Sequence, residues 1–366
     1  MIDREHLSKL MARERERFRT LHPRSAELAE KARTHMPDGV PMSWMAKWPG
    51  GFPIFVSSAI GAHFRDVDGI DYIDLCLGDT GSMTGHSPEP TIAAIHKQID
   101  KGITMMLPSE DAIVVSAELA RRFGLPLWQF TVSATDANRH VIRYSRMLTG
   151  RPKIVVIDRC YHGSVDETFA TLDSNHHTVA REGNIGAPVP LDTTTTVVEF
   201  NDLGAMERAL KTGDIAAILL EPAMTNVGIV LPEPGYLADV RRITKKFGVV
   251  WIVDEVKTGL NVAAGGATEL FGIKPDLVCL AKALGAGIPT GAIGGSEEMW
   301  AMVDSGDVYM VGTFNGNPLA MAAARANLER VMTPDAYKHL GRLNDQLLDG
   351  AQGIIDSGGC FNYRIF

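Results

Sequence analysis

The sequence predicts an α/β fold with a mainly parallel sheet covered by helices on both faces. Three observations lead there. Short apolar runs such as Lys153–Ile157, Ile215–Leu220 and Phe247–Val253 have the length and β-branched content of buried strands. Stretches of helical periodicity, such as Tyr236–Phe247, fall between them. Strand and helix alternate along the chain, as crossover-connected parallel strands require.

In chain order, residues 3–36 read as one or two helices broken at His22-Pro23, and Pro37-Asp38-Gly39 as a turn. Phe52–Asp74 alternates strand-like pieces with glycine turns, and Asp68-Gly69 is its strongest hairpin signal. Gly78–Pro90 is too rich in Gly, Ser and Thr for core and reads as a loop. Helices are predicted around 89–101 and 110–124, a strand over Trp128–Val132 and a helix over Thr135–Leu148. A strand over Val197–Phe200, approached by a four-threonine run, precedes a short helix at Met206–Leu210. Helices near 317–332 and 335–355 come last, before a tail reading SGGCFNYRIF.

At 366 residues the chain can bury one large core, or one large and one small domain. Its 45% hydrophobic and 22% charged content is ordinary for a soluble globular protein. A formal net charge of −8 gives no reason to expect nucleic acid or a membrane surface as partner. Cys76, Cys160, Cys279 and Cys360 are widely spaced with no CxxC, which disfavours a zinc site and makes a reducing cytoplasm the expected location. The charged N-terminus lacks the apolar segment of a secretory signal, and no apolar run approaches the roughly 20 residues that span a bilayer.

The stretch Pro275–Gly295, PDLVCLAKALGAGIPTGAIGG, organises the rest. Leu277–Ala281 is a short apolar run, and Lys282 stands at its end among small residues. Alone, Lys282 is equally a lysine that snorkels to the surface. Upstream, however, Phe247–Val253 ends in Asp254-Glu255. Two buried strands, one ending in a carboxylate and one in an amine, put both groups at the sheet edge where open α/β folds bind ligands. Gly285, Gly287 and Gly291 do not form a dinucleotide fingerprint: the spacing is wrong, Pro289 interrupts it, and no acidic strand end follows.

VDEVKTG at 253, with Lys282 lying 28 residues after Asp254 (282 − 254), resembles the pyridoxal-phosphate site of class III aminotransferases. Further segments resemble that family in its order: DVDGIDYIDL at 66, GHSPEP at 85, SATDAN at 133, LTGRPKIVVIDRCYHG at 148, LLEPAMTN at 219 and GTFNGNPLAMAAA at 312. They cover most of the chain from about 50 to 330 and are most similar to the glutamate-1-semialdehyde aminomutase branch. The resemblance implies a fold type I transferase with a sheet of about seven strands and a smaller α+β domain from the chain ends. It places residues 1–75 in the small domain, 76–316 in the large cofactor domain and 317–366 at the start of a C-terminal domain, which looks largely missing or replaced by an unrelated tail.

It also implies roles. Lys282 bonds the cofactor and moves protons, and Asp254 keeps the pyridine nitrogen protonated. Ser133, Ala134 and Thr135 offer the phosphate backbone donors at a helix start; the family usually has Gly where Ala134 stands and Glu where Asp136 stands. Tyr161 stacks on one ring face and Val256 lies against the other. Glu221 is a supporting group, and Thr313 reaches the phosphate of a neighbouring subunit, which implies a homodimer with shared sites. Other readings stay open: a cap or surface pair for Asp254, an ordinary N-cap for Ser133, rim packing for Tyr161 and a surface carboxylate for Glu221.

Substrate recognition departs from the aminomutase. Its Ser-Pro-Val-Arg-type segment corresponds to Val40–Met45, which has no arginine, and its Ser-Trp-Gly-Pro to Gly78-Asp79-Thr80-Gly81. Asp79 and Thr80 therefore become candidate substrate contacts. The loop Ser174–Pro190 carries His176, His177 and Arg181; Arg181 is a candidate carboxylate fork or else a solvated loop residue. The expectation is a pyridoxal 5′-phosphate-dependent aminotransferase passing an amino group from an amino acid or amine to a keto acid or aldehyde by a ping-pong mechanism. The alternatives are the aminomutase reaction and a catalytically silent relative.

Overall fold

The structure is a computed structural model describing residues 3–183 and 189–357. Part of the 174–190 loop, and the tail with Cys360, lie outside these. The chain forms two compact units, one from residues 1–77 and 85–87, the other from 78–84 and 88 onward.

The first unit holds α1 (Arg4–Leu21), α2 (Pro23–Ala32) and an antiparallel sheet of β1 (Val56–Ile60), β2 (His63–Asp66) and β3 (Asp71–Ile73). Pro23 is the first residue of α2, where its missing N–H costs nothing, and this breaks the helix at the predicted point. His22 makes no side-chain cap. Asp68, from the β2–β3 turn, caps α2 instead, accepting from the N–H groups of Arg24 (2.6 Å) and Ser25 (3.0 Å) and from the Ser25 hydroxyl (2.7 Å). One turn residue thus closes the hairpin and ties it to the helix.

The second unit begins with α3 (Glu89–Ile99) and α4 (Glu110–Phe123), followed by β4 (Leu127–Thr131), α5 (Ala134–Thr149) and β5 (Lys153–Ile157). A small antiparallel pair, β6 (Ala170–Leu172) and β7 (Thr178–Ala180), precedes β8 (Thr195–Val198). Next come α6 (Leu203–Leu210), β9 (Ile215–Leu220), α7 (Tyr236–Phe247), β10 (Val250–Asp254), α8 (Gly266–Leu270) and β11 (Leu277–Leu280). The last elements are β12 (Gly291–Gly295), α9 (Glu297–Asp304), α10 (Pro318–Ala326) and α11 (Pro334–Ser357). The main sheet has seven strands in the order β4-β12-β11-β10-β9-β5-β8. Strands β11, β10, β9, β5 and β8 run parallel, and β12 pairs antiparallel with both β11 and β4.

Every residue of β9, β10 and β11 is buried. Successive side chains point to opposite faces, so full burial means that both faces are covered. Burying each large aliphatic side chain contributes roughly 1.5–3 kcal/mol, and Ile218→Ala in the centre would cost roughly 2–5 kcal/mol.

Three local readings are corrected. The strand predicted at Val197–Phe200 runs over Thr195–Val198, so the last two threonines of the run belong to it. The strand predicted from Phe247 begins at Val250, because α7 continues through Phe247. The glycine-rich Gly291–Gly295 forms a strand that periodicity did not reveal. A Cβ at Gly294 would lie 2.4 Å from the Trp128 ring, so close strand packing rather than strand propensity fixes the residue.

Candidate active site

The C-terminal ends of β10 and β11 carry the two groups on which the sequence argument turned. Parallel pairing sets Asp254 opposite Cys279, three residues before Lys282. Both Asp254 and Lys282 line one cavity of about 440 Å³. Ser133, Ala134, Thr135, Tyr161, Glu221, Val256 and Asp79 line it as well.

Asp254 is 3% exposed and held from three directions. Its carboxylate accepts from His162 Nδ1 (2.6 Å), Asn138 Nδ2 (3.0 Å) and the Val256 N–H (2.9 Å). Burial works to raise its pKa, but the bond to His162 and that residue's charge, with the Val256 and Asn138 bonds, outweigh it and hold the carboxyl below its ordinary value. Burial likewise pulls His162 down, and the neighbouring Cys160 and Asp254 more than reverse this, so its pKa lies well above 6.5. Among the described residues, His162 Nε2 is buried without a hydrogen-bond partner.

Lys282 opens a short 3-10 turn, Lys282–Gly285, with φ of 43°. That left-handed conformation costs a non-glycine residue roughly 1–3 kcal/mol and is maintained where surrounding structure over-determines it. Its Nζ lies 3.4 Å from Asp79 Oδ2. Asp79 also accepts from a second lysine of the cavity, Lys257, at 2.7 Å. Burial opposes ionisation of Asp79, yet the Lys257 bond and the charge of Lys282 lower its pKa overall.

Helix α5 starts at the cavity. Ser133 is its N-cap: Oγ accepts from the Asp136 N–H (3.2 Å) and donates to the Asp136 carboxylate (3.1 Å). The ordinary cap and the anion-facing helix start are therefore one structure, since the first N–H groups of a helix lack partners within it. Thr135 Oγ1 accepts from the Ser164 N–H at 3.0 Å. Gly163 has φ of 81°, and a Cβ there would lie 2.4 Å from Thr135 Oγ1, so the Tyr161-His162-Gly163 turn passes this close only as glycine.

Glu221 is 7% exposed; one carboxylate oxygen accepts from the Thr225 hydroxyl and the other is buried without a partner. Burial raises its pKa. The surface-carboxylate reading of Glu221 is thereby replaced by a buried group at the cavity wall.

Three expected site residues lie elsewhere. Arg181 donates to the Cys160 carbonyl at 2.6 Å and is not among the lining residues. Thr80 is not among them either, and its hydroxyl is buried without a partner. Thr313 lines a separate cavity of about 390 Å³ with Gln129, Phe130 and Asn315. Residues that sequence reasoning missed are His162, Asn138 and Lys257. All three lay inside quoted motifs, but only the fold reveals what they face.

The same pattern recurs in known proteins. The family model described as Aminotransferase class-III matches residues 44–357. A glutamate-1-semialdehyde 2,1-aminomutase of Anaeromyxobacter dehalogenans is 39% identical over 334 residues, covering 89% of this chain and 77% of that one. The crystal structure of a glutamate-1-semialdehyde-aminomutase from Pseudomonas aeruginosa PAO1 superposes with a TM-score of 0.91 at 44% identity, covering 97% of this chain and 81% of that one. An omega-transaminase from Sphaerobacter thermophilus superposes with a TM-score of 0.86 at 31% identity, covering 92% and 78%. The fold is fold type I, and the chain belongs to the class III aminotransferase family.

Proposed function

We propose that the protein is an aminotransferase that takes an amino group from an amino acid or amine and delivers it to a keto acid or aldehyde in two half-reactions. The observation that carries the reading is the convergence of Asp254, Lys282 and the start of α5 on one cavity. The family's cofactor, pyridoxal 5′-phosphate, fits these residues on their chemistry: a buried ionised carboxylate suits a protonated ring nitrogen, a strand-end amine suits an aldehyde, and unpaired helix N–H groups suit a phosphate. A related Pseudomonas aeruginosa aminomutase variant has been crystallised in complex with PMP. When bound, the cofactor supplies an aldehyde that accepts the amino group and a ring that draws electrons from the substrate carbon.

The chain's own residues do the rest. Lys282 Nζ would hold the cofactor and, as a free amine, would carry a proton to and from the substrate carbon bearing nitrogen. Asp254, kept ionised by His162, fixes the ring nitrogen in its protonated form. Ser133, Ala134 and Thr135 seat the phosphate. Tyr161 and Val256 confine the ring between them. Glu221 offers its unpaired oxygen to the substrate side of the cavity. Thr313, outside this cavity, is assigned to the phosphate of a second copy, which makes the working form a homodimer.

Purified protein should be yellow, and borohydride should attach the cofactor to Lys282, as read by mass spectrometry of the peptides. In separate, unreduced samples, donor half-reactions with amino acids and amines should bleach the colour. Colourless protein after reconstitution would overturn the reading. The second reading, a glutamate-1-semialdehyde 2,1-aminomutase, is favoured by relatives of that name at 36–44% identity. Turnover of the semialdehyde with no added keto acid would select it.

A further inference from the structure

We propose that Lys257 binds the carboxylate of the substrate, and that Asp79 holds that place until the substrate arrives. The inference rests on the aminotransferase reading and narrows its substrate class to carboxylate-bearing amino donors.

The cavity contains one ammonium more than amino transfer needs. Lys282 accounts for the covalent chemistry, whereas Lys257 has no part in it, yet its side chain is only 27% exposed and lines the same cavity. A partly buried cation requires an anion. The anion present is Asp79, 2.7 Å from Lys257 and 3.4 Å from Lys282.

The two partners of this ion pair differ in how firmly they are held. Lys257 follows the buried segment Asp254–Val256 directly, so β10 fixes its starting point. Asp79 has a side chain that is 65% exposed, on a turn where Asp79 and Thr80 have φ of 53° and 69°. Each such left-handed residue costs roughly 1–2 kcal/mol. Swinging the Asp79 carboxylate into solvent releases its contacts to the two lysines from an already exposed side chain.

An incoming carboxylate brings the same charge and the same two oxygens to Lys257. His162, in the cavity wall, is bound to Asp254, and Arg181, which donates to the Cys160 carbonyl, is not among the lining residues. Attachment of the cofactor removes the free ammonium of Lys282, and Lys257 remains 2.7 Å from Asp79. Among the described lining residues, Lys257 is then the cation available to tell an amino acid from a simple amine.

The test uses the full chain reconstituted with cofactor. Wild type, Lys257→Met, Lys257→Arg and Asp79→Asn would be assayed with amino acids and with the amines that lack their carboxylate. Lys257→Met should lower the ratio of kcat/KM for amino acids over amines by about 10- to 100-fold, the worth of a charge-assisted hydrogen bond. Lys257→Arg should recover most of that ratio, and Asp79→Asn should lower KM for amino acids. In parallel, calorimetry with succinate as probe should show weaker binding to Lys257→Met and tighter binding to Asp79→Asn. An unchanged ratio together with unchanged succinate binding would overturn the proposal. If no donor is turned over, the functional reading fails, while the succinate arm still decides the role of Lys257. If Lys257→Met does not fold, Asp79→Asn decides it: unchanged KM and succinate affinity would overturn it.

Discussion

Asp66 and Asp254 are both buried carboxylates beside a histidine, one in each unit, and they differ in what encloses them. Asp66 is 1% exposed and accepts from the N–H groups of Asp68 and Ile70 and from the Tyr72 hydroxyl, each at 2.9 Å, with His22 Nε2 at 3.5 Å. Burial and the Asp66 bond push Tyr72 up to about 12. These acceptor bonds come from within a single hairpin, between residues 66 and 72. Asp254 instead draws partners from α5, from the turn after β5 and from the residue two beyond its own strand, and it still faces a cavity. Burial and a histidine neighbour therefore do not mark a functional carboxylate. What marks it is partners gathered from distant chain segments around a space that remains open.

The strongest way to break this comparison is to remove the group across the cavity. Lys282→Ala should reduce turnover by about 1,000-fold or more with the melting temperature of the cofactor-free protein nearly unchanged, because proton transfer alone is worth 10²–10⁴. A large loss of stability would show that the lysine is structural. Next in size is Asp254→Ala, which leaves the buried His162 Nδ1 without its partner and should cost about 3–5 kcal/mol in urea unfolding, as well as activity. Asp66→Asn should cost only about 1–3 kcal/mol, through the altered hydrogen bonds, and leave cofactor affinity intact. Loss of cofactor binding in that variant would put Asp66 on a par with Asp254.

The pH profile sharpens the same contrast. Asp254 has a folded pKa below its ordinary 3.8, so its stabilising contribution is present above that value and is lost as the pH falls through the lower folded value. His162 has a folded pKa well above 6.5, so its contribution is complete below 6.5 and is lost as the pH rises through the folded value. Urea midpoints should thus decline on the alkaline side in wild type, and His162→Gln should flatten that decline. The smallest expected effect is Asp68→Ala, about 1 kcal/mol for the lost cap of α2, read as a small shift in melting temperature.

Much of this was legible in the linear chain. The runs Ile215–Leu220 and Tyr236–Phe247 became elements with those same limits, because uniform apolarity and clean helical periodicity leave little for context to change. Asp254 and Lys282 stood out because a lone charge at the end of an apolar run needs a reason. Other features gave no such signal. Arg181 read as a carboxylate fork or a solvated loop residue, and nothing local showed that it donates to a carbonyl 21 residues away. Asn138 looked like any helix residue, although it reaches a carboxylate 116 residues on.

Local pattern thus determined the alternation of strand and helix, the acid and the amine at two strand ends, and the helix start that follows β4. It did so because propensity, periodicity and capping act over a few neighbouring residues. The tertiary structure alone decided that His162 bonds Asp254, that Gly291–Gly295 is a strand, and that Lys257 shares a cavity with Lys282. Those outcomes depend on desolvation and on contacts between segments dozens of residues apart, which no local pattern encodes.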